Sequence, residues 1–272
     1  MCSLAWINST ISVVRARSTA KAVARGLAVV ATAAVAVPVA AVAQSTTDVA
    51  ANRMRVDAAP LRPGQFEYQT TLEREAATTV IGSRTVSLSA ASFAGAPVWL
   101  IVERRSGDGI AAADSVFAET AGLHAVHWTS SIGPARVAAD FRGETMYGGL
   151  SSPAGRRSVV TSVPAGAIIS AAMLETVLRL LPLHGAWEDS SSMLAVSLGG
   201  NAVLGMRLSV IGEDRIRVPA GQFDCWVVSA HADPARGLYW VTKRDPMVVR
   251  SAVDVPVLGG AQLVNALTRT VP

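Results

Sequence analysis

The stretch from Met206 to Val253 constrains this chain more than any other. It reads MRLSVIGEDRIRVPAGQFDCWVVSAHADPARGLYWVTKRDPMVVRSAV, short apolar runs separated by turn chemistry. Ile216 and Val218 lead into Pro219-Ala220-Gly221, and Phe223, Cys225 and Val227 leave on the far side. Proline presets φ and glycine accepts the positive φ that tight connections need, so this is a hairpin inside an antiparallel meander. A chain built around such a meander folds as a sheet protein, and its other segments must supply strands to extend it or cover to bury it.

The text upstream repeats the pattern. Phe66, Tyr68, Thr70 and Leu72 alternate with Glu67, Gln69, Thr71 and Glu73, a strand with one wet face. Further strands are expected over Thr79–Ala90, Pro97–Arg104, Ala113–Glu119, Leu123–Ser130 and Ala135–Arg142, with another beginning at Ser158. The connections between them carry Gly107-Asp108-Gly109, Gly133-Pro134 and Gly143. Ser192–Leu198 and Ala261–Thr270 also read as strands, with His184–Asp189 as a loop. Many short strands at regular spacing argue for a mainly β domain, a curved antiparallel sheet of half-barrel or sandwich type.

One segment breaks the period. Between Gly166 and Pro182 the apolar residues Ile169, Met173, Leu174, Val177, Leu178 and Leu181 fall at helical spacing. Pro182 ends that helix, and Glu175 with Arg179 has the spacing of a surface ion pair. An amphipathic helix of roughly four turns must lay its stripe on the sheet, since nothing else is there to cover it.

The first 43 residues differ in kind. Arg15, Arg17, Lys21 and Arg25 form a basic stretch without acids, Gly26–Val39 is an Ala/Val run, and Ala41-Val42-Ala43 has small residues where a signal peptidase reads. We expect a signal peptide over 1–43, a flexible mature N-terminus over 44–60, and a single β-rich domain over 61–272 in the periplasm or outside the cell. The Ala/Val run is too short and too interrupted for a spanning helix, so no transmembrane segment is expected in the mature chain. Removing four bases from 24 leaves 20 against 20 acids, so the mature chain is neutral and carries no footprint for nucleic acid. Cys225 is then the one remaining cysteine, which excludes an intrachain disulfide; between Phe223 and Val227 on a strand it reads as buried and inert.

Motifs for chemistry are absent. His124 and His127, three apart on a strand, face opposite sides and would not share a metal ion. No Gly-x-Ser-x-Gly elbow, His-Glu-x-x-His, phosphate-binding loop or dinucleotide fingerprint occurs, so neither catalytic residues nor a cofactor are expected. The aromatic residues are more informative. Trp226 and Val228 lie on one strand face and Phe223, Cys225 and Val227 on the other; Trp240 and Leu238 likewise oppose Tyr239 and Val241. Strands apolar on both faces meet a core on one side and a helix or a cavity on the other.

Three pieces of this text, Thr176-Val177-Leu178-Arg179-Leu180-Leu181-Pro182-Leu183, Val218-Pro219-Ala220-Gly221-Gln222-Phe223-Asp224-Cys225-Trp226 and Leu238-Tyr239-Trp240-Val241, resemble a family of exported bacterial proteins of unknown function. The resemblance covers the C-terminal part. It implies a curved sheet wrapped over a helix, similar to the LolA/LolB-like lipoprotein carriers, and no catalytic residues. The reading that follows is an exported, non-enzymatic protein that binds an apolar, lipid-like molecule or an envelope component, with Leu178, Trp226 and Trp240 at the contact. The competing readings are an envelope hydrolase with a site assembled from separate strands, and a scaffold that pairs through a sheet edge.

Overall fold

The alternation read above becomes backbone pairing in the computed structural model, which describes residues 54–75, 77–107, 110–197 and 200–272. The expected signal peptide and residues 44–53 of the lead-in lie outside the described residues. The strands are β1 Gly64–Arg74, β2 Ala77–Phe93, β3 Ala96–Gly107, β4 Ile110–Glu119, β5 Ala125–Ile132, β6 Ala135–Arg142, β7 Thr145–Ser152 and β8 Gly155–Ser162. A helix, α1, spans Ala171–Leu178, and β9 Glu188–Ser197, β10 Gly200–Val218, β11 Gly221–Ala232, β12 Ala235–Thr242, β13 Val248–Val255 and β14 Ala261–Val271 complete the chain.

All fourteen strands form one antiparallel sheet in the order β8-β7-β6-β5-β4-β3-β2-β1-β14-β13-β12-β11-β10-β9. Each strand pairs with its neighbours in sequence except that β8 does not pair with β9, and the first and last strands pair with each other, Thr70 opposite Asn265. The result is two meanders joined at β1 and β14, with β8 and β9 as free edges. The sheet curls. Ala220 N–H, on the β10–β11 turn, donates to Leu267 O of β14 at 3.0 Å, although β12 and β13 lie between those strands in the sheet.

The gap between β8 and β9 is spanned by the segment that holds α1. Ile168 N–H donates to Ser192 O (2.7 Å) and Leu194 N–H to Ile168 O (2.8 Å), a short parallel bridge along β9. Arg157 of β8 donates through Nη2 to Asn201 Oδ1 of β10 at 2.8 Å. This bridge explains why α1 is two turns rather than four: the backbone of Ile168, inside the helical periodicity, is committed to β9. The helix starts only at Ser170, whose hydroxyl caps Met173 N–H at 3.1 Å. It ends where Leu180 N–H closes a tight turn on Val177 O, ahead of Pro182.

The structure departs from the sequence pattern at three further places. β7, TMYGGLSS, is a full strand although its residues do not alternate; a Cβ on Gly148 would lie 2.5 Å from Ala138 O, so glycine is what lets β7 approach β6. Glu188 and Asp189 are the first residues of β9 rather than a loop. Met54 and Ala58, inside the expected lead-in, are buried with Leu61, and Ala58 N–H donates to Ala121 O at 2.8 Å. The packed body therefore includes residues ahead of 61.

Gly82 and Gly107 face each other where β2 and β3 are pressed together. A Cβ on Gly82 would stand 2.1 Å from Ser106 O, and one on Gly107 would stand 2.0 Å from Ile81 O. Backbone on both sides cannot yield as a flexible side chain would. Gly82→Ala is expected to destabilise the protein by about 1–3 kcal/mol, read as a lower urea midpoint with an unchanged slope.

The helix–sheet junction as candidate functional site

Seven of the eight α1 residues, Ala172 to Leu178, are buried, so the helix is embedded rather than laid on by one stripe. One of the seven is a carboxylate. Glu175 is 4 % exposed and receives both oxygens' hydrogen bonds from one nitrogen of Arg84, Nη1 to Oε1 at 2.7 Å and to Oε2 at 2.9 Å. The expected surface pair of Glu175 with Arg179 is thus replaced by a buried pair with β2. Arg179 instead lies 4.5 Å above the Phe66 ring and donates to Pro246 O at 3.1 Å. The pairing partner won because Arg84 is itself 1 % exposed and needs counter-charge, which a surface residue does not.

Arg84 is held from the sheet side as well. Its Nε donates to Glu103 Oε1 at 2.8 Å, and Arg105 also donates to Glu103. Tyr68 lies beneath the guanidinium, 5.2 Å from ring centre to Cζ, and passes its hydroxyl hydrogen to Val248 O at 3.0 Å. The register aligns these groups on one face: Tyr68 opposite Arg84, Arg84 opposite Arg105, Val86 opposite Glu103. Two guanidiniums therefore balance two carboxylates in a place with almost no water.

Burial and charge act against each other here. Burial pushes the Glu103 carboxyl up, but Arg105 and Arg84 together outweigh it and hold the group down at about 2. For Glu175, burial wins over the attraction of Arg84 and the carboxyl rises above its ordinary value. Burial would depress Arg84, but Glu103 and Glu175 reverse that and keep it charged. Burial also raises the Tyr68 and Tyr239 hydroxyls, so both stay neutral. Alongside, Thr70, Asn265 and Ser251 form a satisfied buried chain at 2.9 and 3.1 Å across β1, β14 and β13. The arrangement ties the helix to the sheet.

The three residues expected at a ligand contact are not brought together. Following the register from Thr70 through Asn265, Ser251 and Tyr239 to Val228 puts Trp226 on the helix side of the sheet and Trp240 on the other. Leu178 is fully buried. Trp226 is half-buried, with the Lys243 ammonium 4.2 Å over its ring. Trp240 is buried, its Nε1 donates to Asp214 Oδ2 at 3.0 Å, and Arg250 lies 4.9 Å over its ring. Cys225 is buried on the Trp240 side; burial, then Asp214 and Asp224, push its thiol up to about 12, so it is held as a thiol.

His124 and His127 meet separate carboxylates. His124 Nδ1 is 3.3 Å from Glu119, in the turn before β5, and His127 Nδ1 is 2.7 Å from Asp140 Oδ1. His127 also stacks on Phe93 at 5.0 Å. Among the described residues no three His, Cys, Asp or Glu side chains are placed to hold a metal ion. Arg84, which joins helix to sheet, is not among the residues the sequence analysis singles out. The signal was present: Arg84 occupies the parity of Val86 and Leu88, and Glu103 that of Ile101, charges in an apolar register.

The family model described as Protein of unknown function (DUF3108) matches residues 65–263, and the chain belongs to that family. No curated protein matches the sequence. Among solved structures, the chain is similar to a beta-barrel-like protein of domain of unknown function DUF1849 from Brucella abortus, at 12% identity and a TM-score of 0.48, covering 81% of this chain and 98% of that one. It is also similar to a protein with a YmcC-like fold from Bacteroides fragilis, at 12% identity and a TM-score of 0.31, covering 80% and 100%.

Arg84→Met leaves two buried carboxylates without their shared partner and is expected to cost about 3–5 kcal/mol, whereas Arg84→Met with Glu103→Leu and Glu175→Leu should recover most of that, by urea unfolding. The pH dependence has two parts. Glu103, lowered in the fold, contributes stability above about 4.5 that is lost as pH falls from there through about 2. Glu175, raised in the fold, contributes stability fully present below 4.5 and lost as pH rises through its folded value. Acidification from neutral pH should therefore first raise stability and then lower it, and Glu175→Gln should remove the rise but keep the fall.

Proposed function

We propose that this member of the DUF3108 family is exported and binds an apolar, lipid-like molecule without catalysing a reaction, with α1 as the cover of the binding surface. The observation that carries this reading is the helix itself. It is apolar and buried along nearly its whole length, yet the contact that anchors it to the sheet by charge is one carboxylate on one arginine. Withdrawing α1 would uncover the apolar residues of the helix side of the sheet, and an apolar guest would restore that burial at roughly 25 cal/mol per Å².

In this reading Leu178 meets the guest only once α1 has moved, because it is fully buried in the closed form. Trp226 is on the helix side and half-buried, so it meets the guest directly. Trp240 is a structural residue of the opposite face. The mode of action is similar to that of LolA/LolB-like carriers of lipoproteins: a curved sheet, a helical cover and an apolar cargo, with an envelope component as the giver or receiver of the cargo.

Uptake of a hydrophobic fluorophore, together with native mass spectrometry of protein isolated from its own host, tests the proposal. Saturable uptake is expected, weakened about tenfold by Trp226→Ala and unaffected by Trp240→Ala once the folded fraction is matched. Glu175→Gln should speed uptake. A clean apo mass with no fluorophore binding by wild type or Glu175→Gln overturns the binding role. Export is tested on the same material, expected in the envelope fraction with Gln44 as its first residue; an intact N-terminus in the cytosol contradicts it.

A further inference from the structure

The face of the sheet away from α1 carries a second feature, independent of the helix. Arg207 of β10 pairs with His231 of β11, and His231 pairs with Arg236 of β12. The three side chains therefore stand side by side in one row across three strands. Their neighbours Leu208, Ala230 and Gly237 form the matching buried row on the helix side. Ser190 of β9 continues the row beyond Arg207.

The row sets one imidazole between two guanidiniums, and a guanidinium presents donors and no acceptor. Both arginines are exposed, and neither makes an ion pair or hydrogen bond with another described residue. His231 Nε2 is buried and has no hydrogen-bond partner. Acids flank the row at its two ends: Glu188, two residues before Ser190 on the same face of β9, and Asp254, one residue beyond the Gly237–Val253 pair, which already accepts from Gln262 at 2.9 Å.

We infer that Arg207, His231 and Arg236 form a binding site for a phosphate-type oxyanion, either a small soluble phosphate or the phosphate of a lipid headgroup. Strands are about 4.8 Å apart, so the two arginine backbones are about 10 Å apart with the imidazole midway. Two guanidinium forks from that separation converge on an anion above the ring, and tetrahedral phosphate offers enough acceptors for both forks and an imidazole N–H.

Titration of the purified protein with inorganic phosphate at constant ionic strength, followed through the His231 ring signals in NMR, tests the site. His231→Gln assigns those signals. A saturable shift is expected with phosphate and not with chloride. Arg207→Gln and Arg236→Gln should each weaken it at least fivefold, and the double variant should abolish it. Arg215→Gln, which removes a paired arginine, should leave it unchanged. A shift that is linear, equal with chloride, or retained in the double variant overturns the proposal. Vesicles distinguish the two sources: cosedimentation with phosphatidic acid but not phosphatidylcholine vesicles, lost in the double variant, assigns the site to a headgroup. Saturable phosphate binding without cosedimentation assigns it to a small anion.

Discussion

The buried guanidinium of Arg84 sets the position of everything that is not sheet. It takes Glu103 from the neighbouring strand at 2.8 Å and Glu175 from the helix at 2.7 Å, and so ties the connection between the two meanders to the middle of the first. Ion pairs of this kind add little net stability over apolar residues of the same shape, because each charge must leave water. Their effect is on position. An apolar helix can slide or rotate on an apolar floor at small cost; a helix with one buried carboxylate must put that carboxylate on its arginine.

The topology shows why such a tie is needed. A meander of fourteen strands whose ends pair would close into a barrel if β8 met β9, and a barrel leaves no free edges. Here the edges are kept apart by residues that cross between them, and the crossing segment puts one residue, Ile168, onto β9 before it turns into the helix. The C-terminal meander curls until its β10–β11 turn reaches β14. That curl buries the second face of β11 and β12, which accounts for Cys225, Val227 and Trp240 as core residues on the side away from α1.

Much of this was legible from residues alone, and the failures have physical causes. Alternation in β1, β2, β3 and β6, the Pro219-Gly221 turn and the helical spacing around Met173 all survive, because each is a local pattern that the fold also satisfies globally. Two-sided burial of β11 and β12 was readable from their paired apolar faces. What that pattern could not say is which face meets the helix, so Trp226 and Trp240 were grouped although the register separates them. β7 was hidden because Gly148-Gly149 looks like a turn and is in fact a close approach. The length of α1 and the partner of Glu175 depend on contacts 25 and 91 residues away, and no local periodicity records those.

The account rests on α1 being able to leave while the sheet stays folded. Native-state hydrogen exchange at the amides of residues 174–178 measures this directly. The account requires these amides to open at a free energy well below that of β1, β2 and β14, and to become slower when an apolar guest replaced by washing is absent and the helix is closed. Exchange of α1 only together with the central strands, at the free energy of global unfolding, would mean that the helix is a permanent part of the core and would contradict it.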